Sequence, residues 1–142
     1  MKPQVIGGIT IEKHVEFEAP FIDPQDILLA STGNVFETHR HWLDPAYVDY
    51  AAQMLIFSFH SFVVKTRHHT ILVDTCVCNH KERPLGHWHM RDGSYLEDLR
   101  KTHVAPEAVD YVMCTHLHAD HVGWNTRLTD GRWVPTFPNA KY

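Results

Sequence analysis

Cysteine is scarce in this chain: Cys76, Cys78 and Cys114 are its three thiols in 142 residues. An odd, sparse set does not describe a disulfide framework of the kind that staples small secreted domains. Cys76 and Cys78 are one residue apart, but two thiols alone rarely bind metal, and a structural role is favoured. No apolar run approaches the roughly 20 residues that a membrane-spanning helix needs. The N-terminal Val5–Ile9 is short and interrupted by Gly7 and Gly8, which excludes a secretion-signal core. Lys and Arg number 13 against 17 Asp and Glu, a formal net charge of −4 without any basic cluster, which argues against a nucleic-acid partner. The G-x-S-x-G pattern of serine hydrolases is missing, as are repeats and low-complexity segments. What remains is an ordinary globular composition, 44% hydrophobic and 21% charged. It is long enough for one domain, residues 1–142, with a real core. The expectation is a soluble cytoplasmic protein that meets neither nucleic acid nor membrane and acts on a small molecule.

Histidine, by contrast, is abundant: 13 residues. Three of them, with one aspartate, fall within six positions of Thr115-His116-Leu117-His118-Ala119-Asp120-His121-Val122-Gly123. Neutral imidazole is the commonest metal ligand and suits zinc, iron and nickel. The apolar run Asp110–Cys114 reads as a strand leading into the motif. Alternate residues of an extended chain point the same way, so His116 and His118 can face one metal. Asp120 and His121 are adjacent, point differently, and could reach a second. Gly123 offers a close turn or close packing. So many histidines make a His-rich surface loop the competing reading, but the ordered H-x-H-x-D-H behind an apolar strand is far more specific than chance clustering.

Along the chain, Val5–Ile11 and Val15–Phe17 suggest a leading strand pair. Asp23-Pro24 reads as a helix cap followed by proline at the first position, and Ser31-Thr32-Gly33-Asn34 as a turn. His39 and His41 form another H-x-H pair, read as polar surface. Asp44-Pro45 predicts a short helix to about Gln53. Met54–Lys65 is the clearest strand, apolar on both faces as if buried between layers. The polar turn at Thr66–His69 and the strand Thr70–Asp74 complete a hairpin. Cys76–Gly93 is a long irregular loop of the kind that often carries function. Within it, His87-Trp88-His89 reads as an aromatic cover over a site entrance, with Trp88 against an apolar substrate. Ser94 with Glu97 is a capping box for a helix to about Lys101, with Leu96 and Leu99 on one face. Arg127–Asp130 and Trp133–Phe137 read as a hairpin turning at Asp130-Gly131.

The run Cys114–Thr126 resembles the signature of the metallo-β-lactamase superfamily, and within it the branch of quorum-quenching lactonases and methyl-parathion-hydrolase-like enzymes. Ile71-Leu72-Val73-Asp74-Thr75 resembles the family's strand ending in aspartate. A carboxylate ending an apolar strand is costly unless it is paired. Asp74 is therefore either a cap for the next turn or, as the resemblance favours, an acceptor that orients a metal-bound histidine. The resemblance implies an α/β fold, the N-terminal half of a four-layer αββα sandwich, with the chain ending before the other half. It implies metal ligands His116, His118, Asp120 and His121, with the remaining ligands outside this sequence. It implies two zinc ions in the full-length protein, other divalent metals being alternatives. The expected activity is hydrolysis of a lactone, ester or phosphotriester by metal-activated water, with Asp120 catalytic in orienting the hydroxide. An iron-dependent oxidoreductase of the same superfamily and a non-catalytic metal-binding fragment are the alternatives. A half-sandwich leaves apolar sheet surface open, so a homo-oligomer is expected.

Overall fold

The computed structural model describes residues 2–31 and 33–142. Thr32, in the expected Ser31–Asn34 turn, lies outside them. Strands β1 (Gln4–Ile6) and β2 (Ile9–Ile22) open the chain. The expected continuous piece Val5–Ile11 is broken instead at Gly7-Gly8 into a hairpin, with Ile6 opposite Ile9 and Gly7 at φ +59°. Two-residue hairpin loops need positive φ, and glycine supplies it without steric cost. Helices α1 (Pro24–Ile27) and α2 (Val35–His39) follow, then β3 (Val48–Asp49), β4 (Met54–Lys65) and β5 (Thr70–Val73). Helix α3 (Tyr95–Lys101), a 3₁₀ turn at Pro106–Ala108, and β6 (Tyr111–Met113) come next. A second 3₁₀ turn, Gly123–Asn125, leads to β7 (Thr126–Thr129) and β8 (Arg132–Pro135).

One sheet runs in the order β1-β2-β4-β5-β6, with β3 also on β4; β7 and β8 form a separate hairpin. Asp130 and Gly131 turn that hairpin with φ of +50° and +75°, as the sequence predicts. The chain forms two compact units, Met1–Glu16 with Phe59–Tyr142, and Phe17–Ser58. In the smaller one, Phe36 and Val48 are buried, and Phe36 meets Tyr50 edge-on at 6.2 Å. The helix expected after Asp44-Pro45 does not form. The Asp44 carboxylate takes the Ala46 N–H, and Asp49 takes those of Ala51 and Ala52, so side chains capture backbone donors that a helix would use.

The larger unit holds the main core: Val63, Leu72, Cys76, Cys78, Tyr95, Leu99, Val104, Val109, Val112, Trp124 and Phe137. In β4, Phe59, Ser61 and Val63 are buried, while Phe62 and Val64 are only half-buried, so one face is covered rather than both. On α3 the buried pair is Tyr95 and Leu99, one turn apart, with Leu96 packing at the core's edge. Each fully buried side chain of this size stabilises the fold by about 1.5–3 kcal/mol. The Ser94–Glu97 capping box does not form; Ser94 Oγ donates to the Asp98 carboxylate instead. That carboxylate, also held by Lys101, makes a charge-assisted bond with the Ser94 hydroxyl, stronger than the neutral bond the hydroxyl would accept from a backbone N–H.

Strands β5 and β6 are parallel, with Val73 opposite Met113 and α3 in the connection between them. This βαβ unit sets the next residues, Asp74 and Cys114, side by side at two carboxyl ends. Ligands of α/β sheets gather at such ends.

Candidate functional site

Asp74 leaves β5 with φ +60°, and its N–H donates to Met113 O at 2.8 Å. Its carboxylate reaches over to the motif. Oδ1 accepts the Thr115 N–H at 2.7 Å, the Thr115 hydroxyl lies 2.8 Å from Oδ2, and His121 Nδ1 lies 2.9 Å from Oδ2. Burial would raise the Asp74 pKa, but the Thr115 N–H, His121 and the Thr115 hydroxyl outweigh it and hold the group below the usual aspartate range. Asp74 therefore accepts from the Thr115 backbone N–H, and its histidine partner is His121.

The motif is not an extended continuation of β6. The His121 N–H donates to His118 O at 3.0 Å, closing a turn. The turn brings His121 back beside His116, ring centroids 3.9 Å apart, and His116 Nε2 lies 3.0 Å from His118 Nδ1. Asp120 Oδ2 lies 3.3 Å from His121 Nε2, so the Asp74 and Asp120 carboxylates flank the two nitrogens of one ring. All five residues singled out from the sequence, Asp74, His116, His118, Asp120 and His121, are thus brought together. The rings of His116 and His118 face open surface.

Behind the motif the backbone is zipped to the turn after β5. Thr75 N–H donates to His121 O at 2.8 Å, Gly123 N–H to Cys76 O at 2.7 Å, and Trp124 N–H to Thr75 O at 2.7 Å. Gly123 is required: a Cβ there would stand 2.2 Å from the Val77 carbonyl. Sequence reasoning missed the brace beneath this zipper. Glu16 of β2 accepts from Val77 N–H at 2.8 Å, Cys78 N–H at 3.1 Å and Trp124 Nε1 at 2.8 Å. Its one signal was a carboxylate amid a β-rich run. Asp74, Cys76, Cys78 and His80 all have positive φ, and the successive amides of such a turn make an anion nest, which Glu16 fills.

The other histidine pairs go elsewhere. Trp42 Nε1 donates to His39 Nδ1, His89 Nδ1 lies by the Arg83 backbone, and Trp88 packs edge-on against Phe59 at 5.7 Å rather than over the motif. Cys76 and Cys78 are buried free thiols, and burial pushes the Cys78 thiol up to about 11, far from the thiolate a metal needs.

Two imidazoles sharing a tetrahedral zinc would have their nitrogens ~3.3 Å apart, from Zn–N bonds of about 2.0–2.1 Å. His116 and His118, at 3.0 Å, come close to that spacing. Among the described residues, no three His, Cys, Asp or Glu side chains converge on a point that a metal ion could occupy. The donor chemistry suits a metal, but the set is partial. Among the described residues, no helix is long and apolar enough to cross a membrane.

No curated protein matches the chain. The solved hydrolase AbOPH of the beta lactamase superfamily is similar over 97% of this chain and 42% of its own, at 26% identity and TM-score 0.67. A probable metal-dependent hydrolase from Staphylococcus aureus aligns over 96% of this chain and 47% of its own, at 19% identity and TM-score 0.69. AidC, a dizinc quorum-quenching lactonase in complex with a product, N-hexnoyl-L-homoserine, aligns over 98% of this chain and 42% of its own, at 18% identity and TM-score 0.70. The last two are likenesses of fold alone. The chain spans less than half the length of each, which agrees with the N-terminal half of an α/β metallo-β-lactamase-type sandwich. Residues 59–142, more than half of the chain and the part holding every site residue, match the family described as the metallo-beta-lactamase superfamily, and the chain belongs to it.

Proposed function

We propose that this chain is part of a metal-dependent hydrolase, acting on a lactone, ester or phosphotriester. The observation that carries the reading is that pairwise contacts gather Asp74, His116, His118, Asp120 and His121 at the carboxyl ends of two parallel strands. His116 and His118 are assigned to a first metal, Asp120 and His121 to a second, with ligands from outside this sequence completing both. A bound zinc or similar ion supplies Lewis acidity and a water of lowered pKa. This chain's own contribution is orientation. Asp74 holds His121 through Nδ1, leaving Nε2 beside Asp120, and an outer partner of this kind fixes a ligand ring's tautomer and direction.

The similarity to AbOPH and the lactonase AidC supports the substrate class. Three free cysteines fit a reducing compartment such as the cytoplasm. Among the described residues, strand β1 ends the sheet with Val5 and Ile6 exposed, an unpaired edge that supports self-association. The test is metal analysis of the full-length protein, which includes the ligands outside this sequence, with a panel of a lactone, an aryl ester and a phosphotriester. Zinc content and turnover that fall together in His116→Ala support the reading. Iron with no hydrolysis would favour an oxidoreductase, and no metal with no turnover a non-catalytic fragment.

A further inference from the structure

None of the motif's histidines lines a cavity of about 600 Å³ whose walls are His80, Lys81, Glu82, Arg83, Met90, Leu128 and Trp133. Its volume falls in the range of small-molecule sites. A smaller one of about 150 Å³ shares His80 and Leu128 with it and adds Arg127. The walls are held by backbone bonds: His80 N–H to Arg91 O at 2.9 Å and Met90 N–H to Lys81 O at 2.8 Å. Lys81 Nζ donates to Gly123 O at 2.6 Å and Thr126 Oγ1 at 3.0 Å, and lies 4.8 Å from the Trp133 ring centre. Burial, with the Arg83 charge adding to it, draws Lys81 below the ordinary lysine range.

Two features point to a ligand. Arg83 Nε and Arg127 Nε are both buried donors without a hydrogen-bond partner among the described residues. Such donors are costly to leave unmet. Three permanent or near-permanent cations, Lys81, Arg83 and Arg127, gather here against the single carboxylate Glu82, in a chain whose formal charge is −4. Opposite them stand the carbon surfaces of Met90, Leu128 and Trp133. We infer that these two cavities, which share His80 and Leu128 in their walls, together form a binding site for an organic carboxylate with an apolar tail, its head on the Arg83 and Arg127 guanidinium groups and its tail against Trp133, Leu128 and Met90. Arginine suits the head because its fork of donors matches a carboxylate.

Calorimetric titration with octanoate, 1-octanol and inorganic phosphate tests the site. Octanoate binds, while octanol, lacking the charge, and phosphate, lacking the tail, each bind at least about tenfold more weakly. Arg83→Gln and Arg127→Gln each weaken octanoate about fivefold or more and leave octanol unchanged. Trp133→Ala weakens both. Equal affinity for octanoate and octanol in the unsubstituted protein, which involves no variant that could misfold, overturns the assignment. So does undiminished octanoate binding in folded Arg83→Gln, or binding lost in His116→Ala, which would place the anion at the histidine motif. The readout is binding without turnover, so failure of the hydrolase reading does not touch it.

Discussion

The carboxylate of Asp74 stands 2.9 Å from His121 Nδ1 and 2.7 Å from the Thr115 amide, joining the end of one parallel strand to the start and the finish of the histidine motif. It does so from φ +60°, a conformation that asparagine tolerates far better than alanine. Asp74→Asn keeps one acceptor and the tolerated backbone; Asp74→Ala keeps neither. Chemical denaturation should show Asp74→Ala losing about 2–3 kcal/mol and Asp74→Asn about half as much. An Asp74→Asn protein as stable as the wild type would show that the carboxylate charge does not hold the motif.

Glu16 makes a second, independent prediction. Its three donors, Val77 N–H, Cys78 N–H and Trp124 Nε1, belong to buried residues, and removing the acceptor leaves all three unsatisfied. Glu16→Ala should cost about 3 kcal/mol or more. Glu16→Gln should also destabilise, because its amide has one acceptor oxygen where the carboxylate uses two. Trp124 is stacked on Tyr95 at 5.4 Å, so its fluorescence should shift in both variants. An unaltered spectrum with wild-type stability would contradict the brace.

How much of this was legible beforehand follows from the range of the interactions. The strand Met54–Lys65, the strand leading into the motif and the Asp130-Gly131 turn carry local signals, and the structure forms each, the second ending at Met113 rather than Cys114. The Asp44–Gln53 segment misleads because proline after aspartate marks both a helix start and an Asx turn, and only the competing acceptors Asp44 and Asp49 decide between them. Glu16 lies 108 residues from Trp124, and a pairing at that separation leaves no pattern in one sequence. The histidine spacing gave the cluster but not its geometry: strand alternation suggested that His121 points away, whereas a turn folds it back onto His116.

His14 should give the fold a measurable acid sensitivity. It is buried, with Nε2 3.0 Å from Tyr95 O, and burial lowers its pKa against the opposing pull of that carbonyl, Asp98 and Glu16. The folded state thus binds this proton later than the unfolded state, whose value is near 6.5. Above that pH neither form is charged and the residue adds no pH dependence. Below it the unfolded chain takes the proton first, so stability falls as pH drops from 6.5 towards the folded value. Denaturation midpoints compared at pH 7.5 and 5.5 should fall more in the wild type than in His14→Gln. Identical falls would remove His14 as the source.

Gly123 offers the sharpest test of how the motif is held. A Cβ at this position meets Val77 C and O at 2.2 Å and Cys76 O at 2.3 Å, all backbone atoms that no rotamer change can move aside. The same glycine donates its N–H to Cys76 O, so relieving the clash means breaking the zipper between the turn after β5 and the segment following His121. Gly123→Ala should therefore cost at least about 3 kcal/mol, at the upper end of overpacking penalties. Gly131, with nothing within 4 Å of its Cβ position, is the control: at φ +75° its alanine variant pays strain without collision. Gly131→Ala should lose only about 1–2 kcal/mol. Melting curves of the two variants decide the matter; a Gly123→Ala protein no less stable than Gly131→Ala would show that the backbone contact behind the histidines is looser than described.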